Sequence, residues 1–313
     1  MEFPKLIIDA DPVVYRSAFS AQTSTYQYVY ETAAGEIKER FFSDGNKARR
    51  FFRRYPKLEV LDVEKHVVAE APSHAREAAR TLLNHTLTSA ANHWGVFRDD
   101  IDVELYMSGP DNFRAKIATI APYKGTRVSE LPVHYQVVRN YLQEGWQAHV
   151  VRNWEADDQV AIRCRQLQAD GVAFILATID KDLDQVAGTH YDYRQHVLYE
   201  MSEPEARRWF WKQVIAGDAG DNIPGCYRVS YAKAESYLSE WDDESDEQIW
   251  ENVVGVYASV MEKYPDKYPE GMTPYEAALE TARLVFMLEY EGQLWTPPGE
   301  EHGDLSEAVC RSD

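Results

Sequence analysis

Four short apolar runs stand out along the chain: L-I-I at 6 to 8, V-E-L-Y-M at 103 to 107, A-H-V-V at 148 to 151 and V-A-F-I-L-A-T-I at 172 to 179. Each reads as a short buried strand. Helical spacing fills the ground between them. From Ser73 to Trp94, apolar Ala75, Ala79, Leu82, Leu83, Leu87, Ala90 and Trp94 recur on one face, and from Glu155 to Leu167 so do Ala156, Val160, Cys164 and Leu167. Strands alternating with helices predict an α/β fold with a doubly wound, mostly parallel central sheet, whose ligand site lies beyond the carboxyl ends of the strands. Y-Q-Y-V-Y-E and E-I-K-E-R-F-F, joined through A-A-G, predict a hairpin inserted into that sheet topology between its first two strands. After about residue 200 the strand signal fades, and helices are predicted around Glu203 to Ile215, Ser230 to Leu238 and Pro274 to Leu288. The pattern divides the chain into an α/β domain over 1–200, a helical subdomain over 201–296 and an acidic, mobile tail over 297–313.

Composition narrows the class. A chain of 313 residues with 44% hydrophobic content, eight Trp and twenty Tyr has ample material for a globular core. Its longest apolar run, eight residues, falls well short of the ~18 to 20 of a membrane span. The start M-E-F-P-K-L-I-I-D lacks the features of a secretory signal, so an intracellular, cytoplasmic protein is expected. Cys164, Cys226 and Cys310 are odd in number and widely spaced, which argues against disulfides and a zinc site. The formal charge of −19 counts against a nucleic-acid partner, but its distribution matters more than its sum. Acids are dense in W-D-D-E-S-D-E at 241 to 247 and in the tail. Basic residues gather instead in N-K-A-R-R-F-F-R-R-Y-P-K at 46 to 57 and around Arg114, Lys116, Lys124 and Arg127.

The candidate chemistry lies in four acidic clusters: Asp9 and Asp11 in L-I-I-D-A-D, Glu155, Asp157 and Asp158 in W-E-A-D-D, Asp180 and Asp182 in T-I-D-K-D, and Asp218 and Asp221 in G-D-A-G-D-N-I. Taken singly, E-A-D-D is also an acid-decorated helix start, D-K-D a solvated turn and G-D-A-G-D-N-I-P-G a tight loop. Together they differ, because the first three clusters follow predicted strands and so converge at one sheet edge. Carboxylates at close range disfavour each other's ionised form, and divalent magnesium, which prefers oxygen ligands, is the natural remedy. A-P-Y-K-G-T-R at 121 to 127 supplies the opposite charge, with Lys124 and Arg127 three apart and suited to a phosphate; its other reading is a basic surface turn. The basic segment 46 to 57 fits either a DNA path or an amphipathic helix with a solvated basic face. No nucleotide-binding glycine motif is present.

At this point the chain resembles the 5′-nuclease superfamily of flap endonucleases and 5′-to-3′ exonucleases, most closely the exonucleases of short-tailed bacteriophages. The resemblance is carried by I-I-D-A-D-P-V-V-Y, F-R at 113 and 114, Y-K-G-T-R, E-A-D-D, T-I-D-K-D-L-D, G-D-A-G-D-N-I-P-G and R-L-V-F-M-L-E-Y, in that order. It implies a PIN-like 5′-nuclease fold with a helical arch and a C-terminal helix-hairpin-helix subdomain. It also implies that Asp9, Glu155, Asp157, Asp158, Asp180, Asp182, Asp218 and Asp221 hold two Mg²⁺ ions, for which Mn²⁺ can substitute. By the same resemblance, Asp9, Asp157, Lys124 and Arg127 are catalytic, and Arg114, Tyr123, Lys124, Arg127 and Lys233 contact DNA. Two departures stand out. The family places an acid directly after the second strand, where this chain reads M-S-G-P-D-N-F-R, so Asp111 fills that role only if the loop is reshaped. The hairpin of the family, which grips duplex around a bound monovalent cation such as K⁺, has glycines where Arg228 and Ser230 stand here.

The activity implied is metal-dependent 5′-to-3′ hydrolysis of duplex, nicked or flapped DNA to 5′-phosphorylated products by a monomer, with RNA in hybrids as a further substrate and phage DNA replication or degradation as the setting. Two other readings are open on the residues: a PIN-like ribonuclease sharing the acidic sheet edge, and a non-catalytic acidic protein that mimics DNA.

Overall fold

Lys5–Asp9 (β1) runs through the middle of a six-stranded sheet, and its last four residues are buried, as a strand covered on both faces requires. The structure, a computed structural model, describes residues 3–126, 130–301 and 303–305. After β1 comes Asp11–Ser20 (α1), then Gln22–Glu31 (β2), Ile37–Phe42 (β3), Gly45–Arg54 (α2) and Glu59–Ala69 (β4). Pro72–Trp94 (α3) leads to Asp102–Ser108 (β5), the single turn Arg114–Ile117 (α4), Tyr135–Trp146 (α5) and His149–Val151 (β6). Ala156–Asp170 (α6), Phe174–Thr178 (β7), Gly188–Asp192 (β8) and Val197–Met201 (β9) follow. The helices Glu203–Ala216 (α7), Tyr231–Glu240 (α8), Asp246–Lys263 (α9) and Pro274–Val285 (α10) precede two-residue strands at Gln293–Leu294 (β10) and Gly303–Asp304 (β11).

The chain divides into two compact units, one of Met1–Pro12, Asn84–Ser129 and Trp146–Asp313, the other of Val13–Leu83 and Glu130–Gly145. The first holds the large sheet, in the order β6-β5-β1-β7-β8-β9, parallel throughout except for β9. Its register sets Asp9 beside Tyr106 and Ile8 beside Ala177, so β1, β5 and β7 end at one edge. α6 packs across β1, β5 and β7 through Ala156, Val160, Cys164 and Leu167, the face predicted from their spacing, with Ala161 beside them. α7, α9 and α10 form a second core around Trp211, Val214, Trp250, Val253, Tyr257 and Ala282.

The second unit carries the predicted hairpin, with Tyr26 opposite Phe42. Its place differs from expectation: β2 and β3 join β4 in a separate three-stranded sheet, order β3-β2-β4, and do not enter the large one. Between Arg114 and Trp146, the stretch holding Lys124 and Arg127, the described residues form α4, turns and α5; residues 127–129 lie outside them. In the predicted tail, β11 pairs with β10, while residue 302 and residues 306–313 lie outside the described residues. Among the described residues no helix is long and apolar enough to cross a membrane.

Candidate active site

The strand ends build the site first. Asp9 closes β1 and is 1% exposed. Thr178, at the end of β7, donates its hydroxyl to Asp9 Oδ2 at 2.9 Å, and the Asp11 backbone N–H donates to Asp9 Oδ1 at 3.3 Å. At the end of β5, the Ser108 N–H donates to both Asp11 carboxylate oxygens at 3.1 and 3.2 Å, while its hydroxyl accepts from the Ala156 N–H at 2.9 Å. That last bond fixes the first turn of α6, which carries Glu155 at its N-cap and Asp157 two residues on. Asp180 follows β7 and caps the 3₁₀ turn Lys181–Gln185, accepting from the Asp182 N–H at 2.9 Å.

The acids in this group press on one another. Burial first, then the charges of Asp11 and Asp180, push the Asp9 carboxyl well above its ordinary range. Burial, Asp9, Asp180 and Glu155 do the same to Asp157. Asp180 is raised by burial, with Asp221 adding to it, and Asp182 is pushed up to about 7 by burial and the Asp180 charge. Gln213 from α7 donates to Asp182 Oδ1 at 2.7 Å.

The α7–α8 loop adds the last two acids. Gly217 (φ +71°) and Gly225 (φ +59°) let its two arms cross; a Cβ on Gly217 would stand 2.2 Å from the Ile223 carbonyl oxygen, and one on Gly225 would stand 2.3 Å from the Gly217 nitrogen. Asp218 is buried there, accepting from the Gly220 N–H at 2.6 Å and from the Lys181 ammonium. Burial opposes ionisation of Asp218, but Lys181 outweighs it and holds the carboxyl below its usual range. Lys181 also donates to Asp182 Oδ1 at 2.9 Å.

Tyr123 and Lys124 approach from the other side. The Lys124 backbone, left-handed at φ +54°, donates to the Asp221 carbonyl at 2.7 Å, and its ammonium pairs with Glu155 and lies 3.5 Å from Asp221 Oδ2. The Tyr123 hydroxyl oxygen is 2.5 Å from Glu155 Oε2 and 2.8 Å from Asp221 Oδ2. A phenol has one proton to give, and the Lys124 ammonium supplies the cation between the two carboxylates around it. Burial and Glu155 hold the Tyr123 proton in place far above the ordinary phenol range.

Asp9, Glu155, Asp157, Asp180, Asp182, Asp218, Asp221, Tyr123 and Lys124 are thus linked by direct contact or by mutual electrostatic effect. Arg114 and Asp158 adjoin this group, Arg114 Nη1 lying 3.7 Å from Glu155 Oε2 and Asp158 accepting from the Glu155 N–H at 3.1 Å. Asp158, expected among the metal acids, and Arg114, expected on DNA, are spent on each other: the guanidinium donates to Asp158 Oδ2 at 2.6 Å and to Oδ1 at 2.8 Å, with exposures of 0% and 1%. Two more Arg114 bonds reach the Leu284 and Phe286 carbonyls at 2.8 and 2.7 Å. Asp111 is exposed beside a surface cavity it shares with Asn112, Lys116 and Asn153. Lys233 is exposed on α8, its ammonium 4.3 Å from the Tyr237 ring centroid. Arg127 lies outside the described residues. At the hairpin, Arg228 adopts φ +63°, which is why a glycine would suit that position.

Sequence reading missed Lys181, although it stands between two candidate acids in D-K-D and pairs with Asp182 of that cluster and Asp218 of the loop. It also missed Thr178 and Gln213, whose roles depend on tertiary placement and carry no local signal.

Among the described residues, no three His, Cys, Asp or Glu side chains are already disposed as ligands around one point. The ammonium groups of Lys124 and Lys181 lie among the carboxylates instead. The fit to a divalent cation rests on the donor set: all oxygen, with Asp9, Asp157, Asp180 and Asp182 raised by burial and by neighbouring carboxylates.

No family model matches the chain. It is 27% identical over 230 residues, 66% of its length, to the thermostable DNA polymerase I of Thermus aquaticus, and 26% identical over 161 residues, 45% of its length, to the DNA polymerase I of Caldicellulosiruptor bescii. These matches span 27% and 19% of those proteins. Among solved structures, it is 15% identical to T5 5′-exonuclease with zinc bound, at TM-score 0.47 over 90% of this chain and 89% of that one. It is also 15% identical to a bacteriophage T5 flap endonuclease complex with DNA and metal ions, at TM-score 0.45 over 89% and 98%. The sequence relatives support the resemblance to the 5′-nuclease superfamily that the motifs carry.

Proposed function

We propose that the chain is a metal-dependent nuclease that hydrolyses DNA from 5′ ends. The observation that carries this reading is the mutual elevation of Asp9, Asp157, Asp180 and Asp182 at the carboxyl ends of parallel strands, an arrangement that costs stability unless a cation enters. Asp9, Glu155, Asp157, Asp180 and Asp182, with Asp218 and Asp221 behind them, are the residues that would hold divalent ions. Once bound, Mg²⁺ or Mn²⁺ would supply Lewis-acid activation of solvent and neutralise charge at the phosphate.

The chain's own groups do the rest. Lys124, whose proton is held by Glu155 and Asp221 although burial opposes it, remains cationic at neutral pH and can turn from its carboxylates to a phosphate oxygen. Tyr123 keeps its proton and orients Glu155. Arg127 would join Lys124 on the scissile phosphate, and Lys233 would meet the duplex backbone farther along.

Product sizes over time, on 5′-labelled duplex and flapped DNA with and without Mg²⁺, test the reading. Short labelled products released first, and only with a divalent ion, are expected. Cleavage confined to RNA would assign the ribonuclease reading, and no turnover alongside tight capture by a DNA-binding protein would assign the mimic.

A further inference from the structure

We propose that α2 presents a second nucleic-acid contact surface, in the unit that does not hold the acids, and that it grips the sugar-phosphate backbone of DNA. This goes beyond the nuclease reading and does not depend on it. α2 is strictly two-sided. Ala48, Phe51 and Phe52 turn inward, the two Phe rings packing on Tyr30 and Phe42 of the small sheet, with Phe52 also meeting Tyr28. Lys47, Arg49, Arg50, Arg53, Arg54 and Lys57 are exposed, and those on the helix share the opposite arc.

Six cations on one short segment of a chain with net charge −19 would ordinarily find carboxylate partners. Here only Lys47 has one, Asp44 at 3.6 Å; among the described residues no carboxylate pairs with the four arginines or with Lys57. Their repulsion is therefore uncompensated within the protein, and a polyanion is the partner that removes it. A membrane surface is the less favoured occupant, since an interfacial helix needs a free apolar face and this one is already buried against the sheet. Tyr55, 46% exposed at the end of the helix, adds a ring on which a base can stack.

The test is the salt dependence of DNA binding by the full chain, read by fluorescence anisotropy on labelled single strand and duplex without divalent ions between about 50 and 200 mM NaCl. Changing Arg49, Arg50, Arg53 and Arg54 together to Ala is expected to weaken binding at least roughly tenfold at the low-salt end and to lower the log-log slope by about 3. Replacing the same four by Lys should keep the slope. Arg49→Gln and Arg54→Gln singly should each lower it by about 1, so unaltered slopes in both overturn the proposal even if the fourfold variant fails to fold. Unchanged DNA binding together with lost binding to phosphatidylserine vesicles would assign the surface to membranes and overturn it too. Because binding is read without metal, a chain that binds through α2 but never cleaves would count against the nuclease reading alone.

Discussion

Asp157→Asn is expected to lose 5′ cleavage by about 10²-fold or more in saturating Mg²⁺, and yet to melt at a higher temperature than the unaltered chain once divalent ions are removed. The two effects share one cause. Asp157 is crowded by Asp9, Asp180 and Glu155, and each of those charges, together with burial, raises its proton affinity. Asn keeps the shape and discards the charge, so the metal-free protein is relieved of repulsion while the cation site loses an oxygen anion. End-labelled cleavage assays and thermal melts in chelator measure the pair. Full activity in this variant would show that the acids at the sheet edge are ornamental, and a lowered metal-free Tm would show that they do not strain the fold.

Arg114→Ala is expected to cost about 3 to 5 kcal/mol of stability, a large part of the roughly 5 to 15 kcal/mol a folded chain has to lose. Removing the guanidinium leaves Asp158 charged and wholly buried, deprives the Leu284 and Phe286 carbonyls of their donors, and unties α4 from the start of α6 and the end of α10. The Leu288 N–H at 3.4 Å and the Glu155 N–H at 3.1 Å would remain on Asp158, too little to hold its charge. Arg114→Lys recovers only part of the loss, because an ammonium cannot form the fork. Denaturant melts measure it; a loss below about 1 kcal/mol would mean that the pair only fills space.

The parallel strands were legible because burial on both faces leaves unbroken apolar runs, and α6 because its inner face repeats at helical spacing. β8 and β9 were not, since G-T-H-Y-D and V-L-Y-E-M alternate with polar residues toward the sheet's edge. α9 was hidden behind the acids of 241 to 247. Two of those, Asp246 and Glu247, in fact occupy its first turn, where the helix dipole favours them. At the site, residue type and order pointed to the acids, but not to which way each carboxyl turns. Glu155 and Asp158 share a helix face in the sequence; in space Glu155 meets Lys124 and Tyr123, with Arg114 3.7 Å away, and Asp158 is locked to Arg114 by two hydrogen bonds. Nothing local distinguishes them, because the difference lies in α4 and α10, distant in the chain.

The claim on which the rest stands is that these acids repel one another until a cation joins them, and thermal melts against pH, with and without Mg²⁺, test it directly. Carboxyls raised by folding bind protons more tightly in the native state, so their contribution is present at low pH and is lost as pH climbs from the ordinary carboxylate range through the folded values, about 7 for Asp182. His190, kept neutral by burial, works in the opposite direction, one group against the raised carboxyls of Asp9, Asp157, Asp180, Asp182 and Asp184. The metal-free Tm should therefore fall between about pH 5 and 8, and millimolar Mg²⁺ should restore it most at the upper end, where the carboxylates are ionised. A Tm that is flat with pH and indifferent to Mg²⁺ would contradict the account.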